Sequence, residues 1–205
     1  WIPVSGVDIE GYEMAEVLQN LDDSISNGLV VVDDAWKWIQ PVRREKEILG
    51  ILDKAIRAQA FQAYYQPIQE VTSGEFLCAE ALVRLKDQDG KFISPEEFIP
   101  VAEKNGRIGD IGNFVFREVC RFMSEEKLVE KGVTYIELNL SPAQCRQREL
   151  ADQFLKVMEE YGIAPHRVNL EITETAEMES LGMSKSRGSK FFDLIGTKSR
   201  GSKFF

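Results

Sequence analysis

The sequence predicts an α/β domain built on a mostly parallel sheet, and three observations carry that expectation. Stretches with apolar residues at helical spacing alternate with short runs of alternating polarity. The first two strand-like runs are separated only by Thr72-Ser73-Gly74, which marks a hairpin. Beyond that hairpin strands and helices take turns, the pattern of crossover units on a parallel sheet.

The elements follow in order. Glu45–Ala60 places Ile48, Leu49, Ile51, Leu52, Ala55 and Ile56 at helical spacing among Arg, Lys, Glu and Asp. Phe61–Val71 and Glu75–Leu85 read as the two hairpin strands, and Asp89-Gly90 as the next turn. Ser94-Pro95-Glu96-Glu97 starts a helix, with Ser at the cap, Pro in the first turn and Glu at the third position. That helix runs through Lys104 and stops at Asn105-Gly106. Asp110–Leu128 is amphipathic, with Phe114, Val115, Val119, Phe122 and Met123 on one side. Val133–Leu140 is a strand, Glu149–Tyr161 a helix ended by Gly162, and Arg167–Thr173 a strand.

Composition narrows the functions available. The 205 residues carry 34 acidic and 25 basic side chains, a net −9, which argues against binding nucleic-acid polymers through a charged surface. Small anionic ligands held by a local site remain open. No apolar run approaches the roughly 18 residues needed to cross a bilayer. Trp1-Ile2-Pro3-Val4 lacks the features of a secretion signal and an initiator Met, so the chain reads as a piece of a longer one. Cys78, Cys120 and Cys145 are odd in number and widely spaced, and His166 follows Pro165 in a loop, so a zinc site is not expected. Unpaired thiols suit a reducing compartment and a cytoplasmic setting.

The charge is uneven. KSRGSKFF occurs at Lys185–Phe192 and again at Lys198–Phe205. From Gly182 onward four Lys, two Arg and one Asp give +5, which leaves −14 on the preceding residues. Two copies are too few for a solenoid. The segment is either a basic tail that docks on a partner or an anionic membrane, or an unstructured or foreign extension, and the latter is favoured.

Strand faces carry the chemistry. Glu80, Leu82 and Arg84 point one way, against Ala79, Ala81, Val83 and Leu85. Glu137, Asn139 and Ser141 oppose Ile136, Leu138 and Leu140, and Asn169, Glu171 and Thr173 oppose Leu170 and Ile172. Parallel strands are normally buried on both faces, so these polar groups need mutual pairing, a metal or a ligand. A functional site is favoured over a structural polar network. Oxygen donors on successive strands suit Mg²⁺ or Mn²⁺, and a nearby Arg suits a phosphate oxygen, which points to metal-assisted phosphoryl chemistry.

These residues also carry a family resemblance. YYQPI (Tyr64–Ile68), AEALVRL (Ala79–Leu85), SPEEFIPVAEKNG (Ser94–Gly106), IELNLSP (Ile136–Pro142) and NLEITET (Asn169–Thr175) resemble, in order, the motifs of the EAL-domain family. Its members are cyclic-di-GMP phosphodiesterases on a modified (β/α)₈ TIM-type barrel whose first strand runs antiparallel to the others. The resemblance implies that Glu80, Asn139 and Glu171 are ligands to Mg²⁺ or Mn²⁺. It implies that Gln66, Leu82, Arg84 and Pro95 hold the dinucleotide, with Arg84 on a phosphate, and that Glu174 supports the site. Leu85 stands where many members have Trp.

The family's later motifs, an Asp-Asp element bridging the metals and a catalytic lysine among them, are not found after Glu179. A (β/α)₈ barrel takes roughly 250 residues, so 61–181 is expected to be the first half of one. No complete catalytic set is expected in this chain, and no turnover of cyclic-di-GMP to pGpG by it. An open half-barrel would expose a strand edge and invite dimerisation through this domain. Residues 1–40, including AEVLQNLDDSISNGLVVVDD, resemble the closing elements of a GGDEF-type domain, and 41–60 would be the connecting helix. The expected function is that of a fragment of a cyclic-di-GMP phosphodiesterase. The alternative is an inactive EAL module that binds cyclic-di-GMP or a protein as a sensor, with any membrane contact made by other regions.

Overall fold

The computed structural model describes residues 36–147, 149–173 and 197–200, and of 36–39, 172, 173 and 197–200 the backbone alone. The stretch read as a GGDEF-type remnant therefore lies almost wholly outside the described residues, as do Glu174 and most of the basic tail.

Helix α1 spans Trp36–Ala58 and begins ahead of the expected boundary at residue 41, running through Pro41. Its apolar stripe buries Ile48, Leu52 and Ala55. Strands β1 (Gln62–Gln69) and β2 (Phe76–Lys86) form the expected antiparallel hairpin, with Gln66 across from Glu80 and Tyr64 across from Leu82. Gly74 at the turn holds φ +73°, where a side chain would be strained. A short β3 (Phe92–Ile93) folds back antiparallel on the end of β2. Helices α2 (Pro95–Lys104) and α3 (Ile108–Glu125) lead into β4 (Tyr135–Leu140). Helices α4 (Pro142–Cys145) and α5 (Leu150–Tyr161) lead into β5 (Val168–Thr173).

The sheet order is β1-β2-β4-β5-β6, with β2, β4 and β5 mutually parallel. The alternation expected from the sequence is thus realised: an antiparallel first strand followed by parallel strands joined through helices. On one side of this sheet Ala81, Leu85, Ile136, Leu138, Leu140, Val168 and Leu170 are buried. The helices cover them with Phe98, Ala102, Val115, Phe116, Val119, Met123, Phe154 and Met158, and the Phe116 and Phe154 rings stack at 3.7 Å. Burying this many side chains at roughly 25 cal/mol per Å² is the main force holding helices to sheet. Tyr65, also on that side, stacks on Phe122 at 4.3 Å.

Two local expectations are corrected. Ser94 is the N-cap of α2 with Pro95 in the first turn, as expected, but makes no side-chain capping bond: the Glu97 N–H donates to the Ser94 carbonyl, and the Glu97 carboxylate is held by Arg44 of α1 at 2.6 Å. A full capping box forms instead at Ser141–Gln144, opening α4. The second correction concerns the tail: Thr197–Arg200 forms β6, parallel to β5, with Glu171 across from Lys198. Those four residues are structured, and the physical reason is the edge of β5, whose backbone N–H and C=O groups need a partner.

Candidate functional site

The sheet face turned away from the helices gathers the polar side chains. Antiparallel pairing in the β1–β2 hairpin places Gln66 and Glu80 side by side. Parallel pairing then continues the row from Glu80 to Glu137 and on to Asn169. One pleat further along, Asn139 stands across from Glu171. Because the side-chain period of a strand is two, one register fixes all of these to the same face.

The polar groups divide into two hydrogen-bonded pairs, Glu137–Asn169 and Glu80–Asn139. Asn169 Nδ2 donates to Glu137 Oε1 at 3.0 Å, and both residues are buried, Glu137 to 4% exposure. This pair is the structural polar network that the strand pattern left open. Asn139, by contrast, is exposed, and its Nδ2 donates to Glu80 Oε1 at 2.7 Å. Glu80 is half-buried and Glu171 is buried. Both pairs and Glu171 lie on one face.

The residues expected at the site fall as follows. Glu80, Asn139 and Glu171 occupy three adjacent strands, with the first two in direct hydrogen bond and the last two in register. Gln66 is exposed beside Glu80. Leu82 and Arg84, half-buried, follow Glu80 on the same face toward the carboxyl end of β2. The Arg84 guanidinium donates to the Val83 carbonyl at 2.9 Å and lies 5.8 Å from the centroid of the Tyr64 ring. Pro95 opens α2 immediately after β3, which is tied to the end of β2 through Leu85 and Ile93. Glu174 lies outside the described residues.

The donor set fits a hard divalent cation. Glu80 and Glu171 offer carboxylate oxygens and Asn139 an amide oxygen, the ligand types that such ions prefer. Among the described residues no three His, Cys, Asp or Glu side chains form a metal cluster.

Strand alternation in the sequence reached Glu80, Asn139 and Glu171, but it passed over two aromatics that the fold brings to the same end. Tyr64 and Phe92 meet edge-to-face at 5.8 Å, and the Lys86 ammonium stands 4.7 Å over the Phe92 ring. The parity of Tyr64 with Gln66 was available as a signal. The approach of Phe92 depends on the β2–β3 pairing. The rest of the surface chemistry is unremarkable: His166 is exposed in the 3₁₀ turn Pro165–Arg167. Cys78, Cys120 and Cys145 are free thiols. No helix among the described residues is long and apolar enough to cross a membrane.

Comparison with known proteins bears on this geometry. A family model described as the EAL domain matches residues 50–189, a span that contains all five motifs. The oxygen sensor protein DosP of Escherichia coli (strain K12) is 32% identical over 151 residues, covering 71% of this chain and 19% of that protein. The cyclic di-GMP phosphodiesterase NbdA of Pseudomonas aeruginosa is 30% identical over 142 residues, covering 69% of this chain and 18% of that protein. A solved structure of the PaMucR phosphodiesterase in complex with c-di-GMP superposes with a TM-score of 0.65 at 26% identity, over 75% of this chain and 62% of that one. The chain spans about a fifth of the length of these curated relatives.

Proposed function

The chain belongs to the EAL domain family, and from that premise we propose that it supplies the cation- and nucleotide-holding part of a phosphodiesterase that hydrolyses cyclic-di-GMP to linear pGpG. Its strands and helices are part of a TIM-type barrel, a fold whose active sites gather at the carboxyl ends of the strands. The observation that carries the reading is the single sheet face on which Gln66, Glu80, Asn139 and Glu171 stand in register with Arg84 beside them.

Each residue then has a defined task. Glu80, Asn139 and Glu171 hold Mg²⁺ or Mn²⁺ through oxygen atoms. A cation held there would supply Lewis-acid chemistry, polarising the phosphodiester and lowering the pKa of water. Arg84 meets a phosphate oxygen with its guanidinium. Gln66 orients the ligand by hydrogen bonding, and Leu82 and Pro95 pack against its apolar surfaces. Glu174, three positions after Glu171 in sequence, is assigned a supporting role. On this reading the protein works in the cytoplasm, in keeping with its free thiols, and pairs with a second copy through this domain.

The test is calorimetric titration of the chain with cyclic-di-GMP, in Mn²⁺ and in chelator, with the solution then examined for pGpG. Cation-dependent binding that Glu80→Ala removes supports the proposal. Wild-type chain that binds nothing in Mn²⁺ overturns it. Binding that persists without product even when the rest of a barrel is supplied would make the same site a sensor, not a hydrolase.

A further inference from the structure

The buried pair on β4 and β5 stands one pleat before two of the proposed cation ligands, on the same two strands. Glu137 lies two positions before Asn139, and Asn169 two positions before Glu171, in one continuous parallel register. Side chains two apart on a strand share a face. The Asn169–Glu137 hydrogen bond at 3.0 Å therefore ties together the strands from which Asn139 and Glu171 project. A slip of one residue between β4 and β5 would break this bond and turn a ligand to the helix-covered face.

For stability alone an apolar rung would serve. A buried carboxylate and amide give up their water, and replacing such a pair by apolar residues of similar volume is often neutral or stabilising. Apolar rungs already join these strands on the opposite face, where Ile136 meets Val168 and Leu138 meets Leu170. What the polar pair adds is direction. Glu137 also stands across from Glu80 on β2, and like charges directly opposite repel. Asn169 engages the Glu137 carboxylate from the β5 side, while the Glu80 carboxylate accepts from Asn139 at 2.7 Å, one pleat further along.

We infer that Glu137 and Asn169 are positioning residues, whose hydrogen bond fixes the β4–β5 register and the side toward which Glu137 is held, and so keeps Glu80, Asn139 and Glu171 arranged for a divalent cation. The inference rests on the functional reading above and extends it to two residues given no ligand role there.

The experiment compares the full wild-type chain with two variants. Glu137→Gln keeps an acceptor for Asn169, and Glu137→Met/Asn169→Leu keeps the volume but removes the bond. Mn²⁺ affinity is read by electron paramagnetic resonance and stability by urea unfolding. Glu137→Gln is expected to keep wild-type Mn²⁺ affinity. The Met/Leu chain is expected to unfold at an equal or higher urea midpoint, yet to bind Mn²⁺ about tenfold more weakly. Should it fail to fold, Asn169→Leu in the Glu137→Gln background leaves no buried charge and is expected to show the same loss. Wild-type Mn²⁺ affinity in either doubly substituted chain would mean that the pair only fastens two strands, and the inference falls while the functional reading stands. Equal loss in Glu137→Gln and the Met/Leu chain also overturns it, because the charge and not the bond would then act. If the wild-type chain binds no Mn²⁺, the functional reading falls and the inference with it.

Discussion

At the scale of single residues, the hydrogen bond from Asn139 to Glu80 links two of the proposed cation ligands. It joins adjacent strands and fixes the orientation of the Glu80 carboxylate. Removing the carboxylate in Glu80→Ala should weaken Mn²⁺ binding about a hundredfold, read by electron paramagnetic resonance, while the helical circular dichroism is kept. The thiols allow a second prediction. Burial pushes Cys120 up to about 12 and Cys145 up to about 11, because the interior disfavours a thiolate. The stability each contributes is therefore intact below its ordinary value of 9.0 and is lost as pH rises toward those figures. Urea midpoints should fall between pH 9 and 11, with a shallower slope in Cys120→Ala. A thiol reagent at pH 8 should modify half-buried Cys78 quickly and the other two only on unfolding.

At the scale of elements, α1 and α4 show how helices are kept in place. Three ion pairs link α1 to α2 and its C-terminal turn: Arg44–Glu97 at 2.6 Å, Lys104–Glu45 at 2.7 Å and Arg107–Asp53 at 2.7 Å. All are partly exposed and contribute little each. Apolar contact does most of the holding, so Leu52→Ala should cost about 2–5 kcal/mol by urea unfolding, whereas high salt should leave the midpoint nearly unchanged. Helix α4 lies against the first turns of α3, where a Cβ on Gly112 would overlap the buried Gln144 amide. That amide also accepts from the Ser141 N–H at 3.1 Å, and Ser141 Oγ donates to Glu103. Gly112→Ala should therefore destabilise the chain by about 1–3 kcal/mol, and adding Gln144→Ala should recover part of the loss.

At the scale of the whole molecule, the edges of the sheet matter most. β5 is buried along Val168–Glu171 and is flanked by β4 on one side and β6 on the other. Deleting residues 197–205 uncovers the β5 edge, and the shortened chain should shift to larger species in size-exclusion chromatography. An unshifted elution profile would mean that β6 does not protect that edge.

Much of this was legible in sequence because the period of a strand and the period of a helix are local properties. Alternation along Ala79–Leu85, Tyr135–Leu140 and Val168–Glu171 told which carboxylates share a face, and the hairpin turn told that β1 is antiparallel. Five motifs in order carried the family. Tertiary structure alone decided the rest. It buried Glu137, Asn169 and Glu171 and left Asn139 exposed, since burial depends on what stands over a face and not on the strand itself. It diverted Glu97 from its cap to Arg44, 53 positions away, recruited Thr197–Arg200 to an open edge, and set Phe92 against Tyr64. Each of these is a meeting of residues distant in the chain, and no local periodicity encodes it.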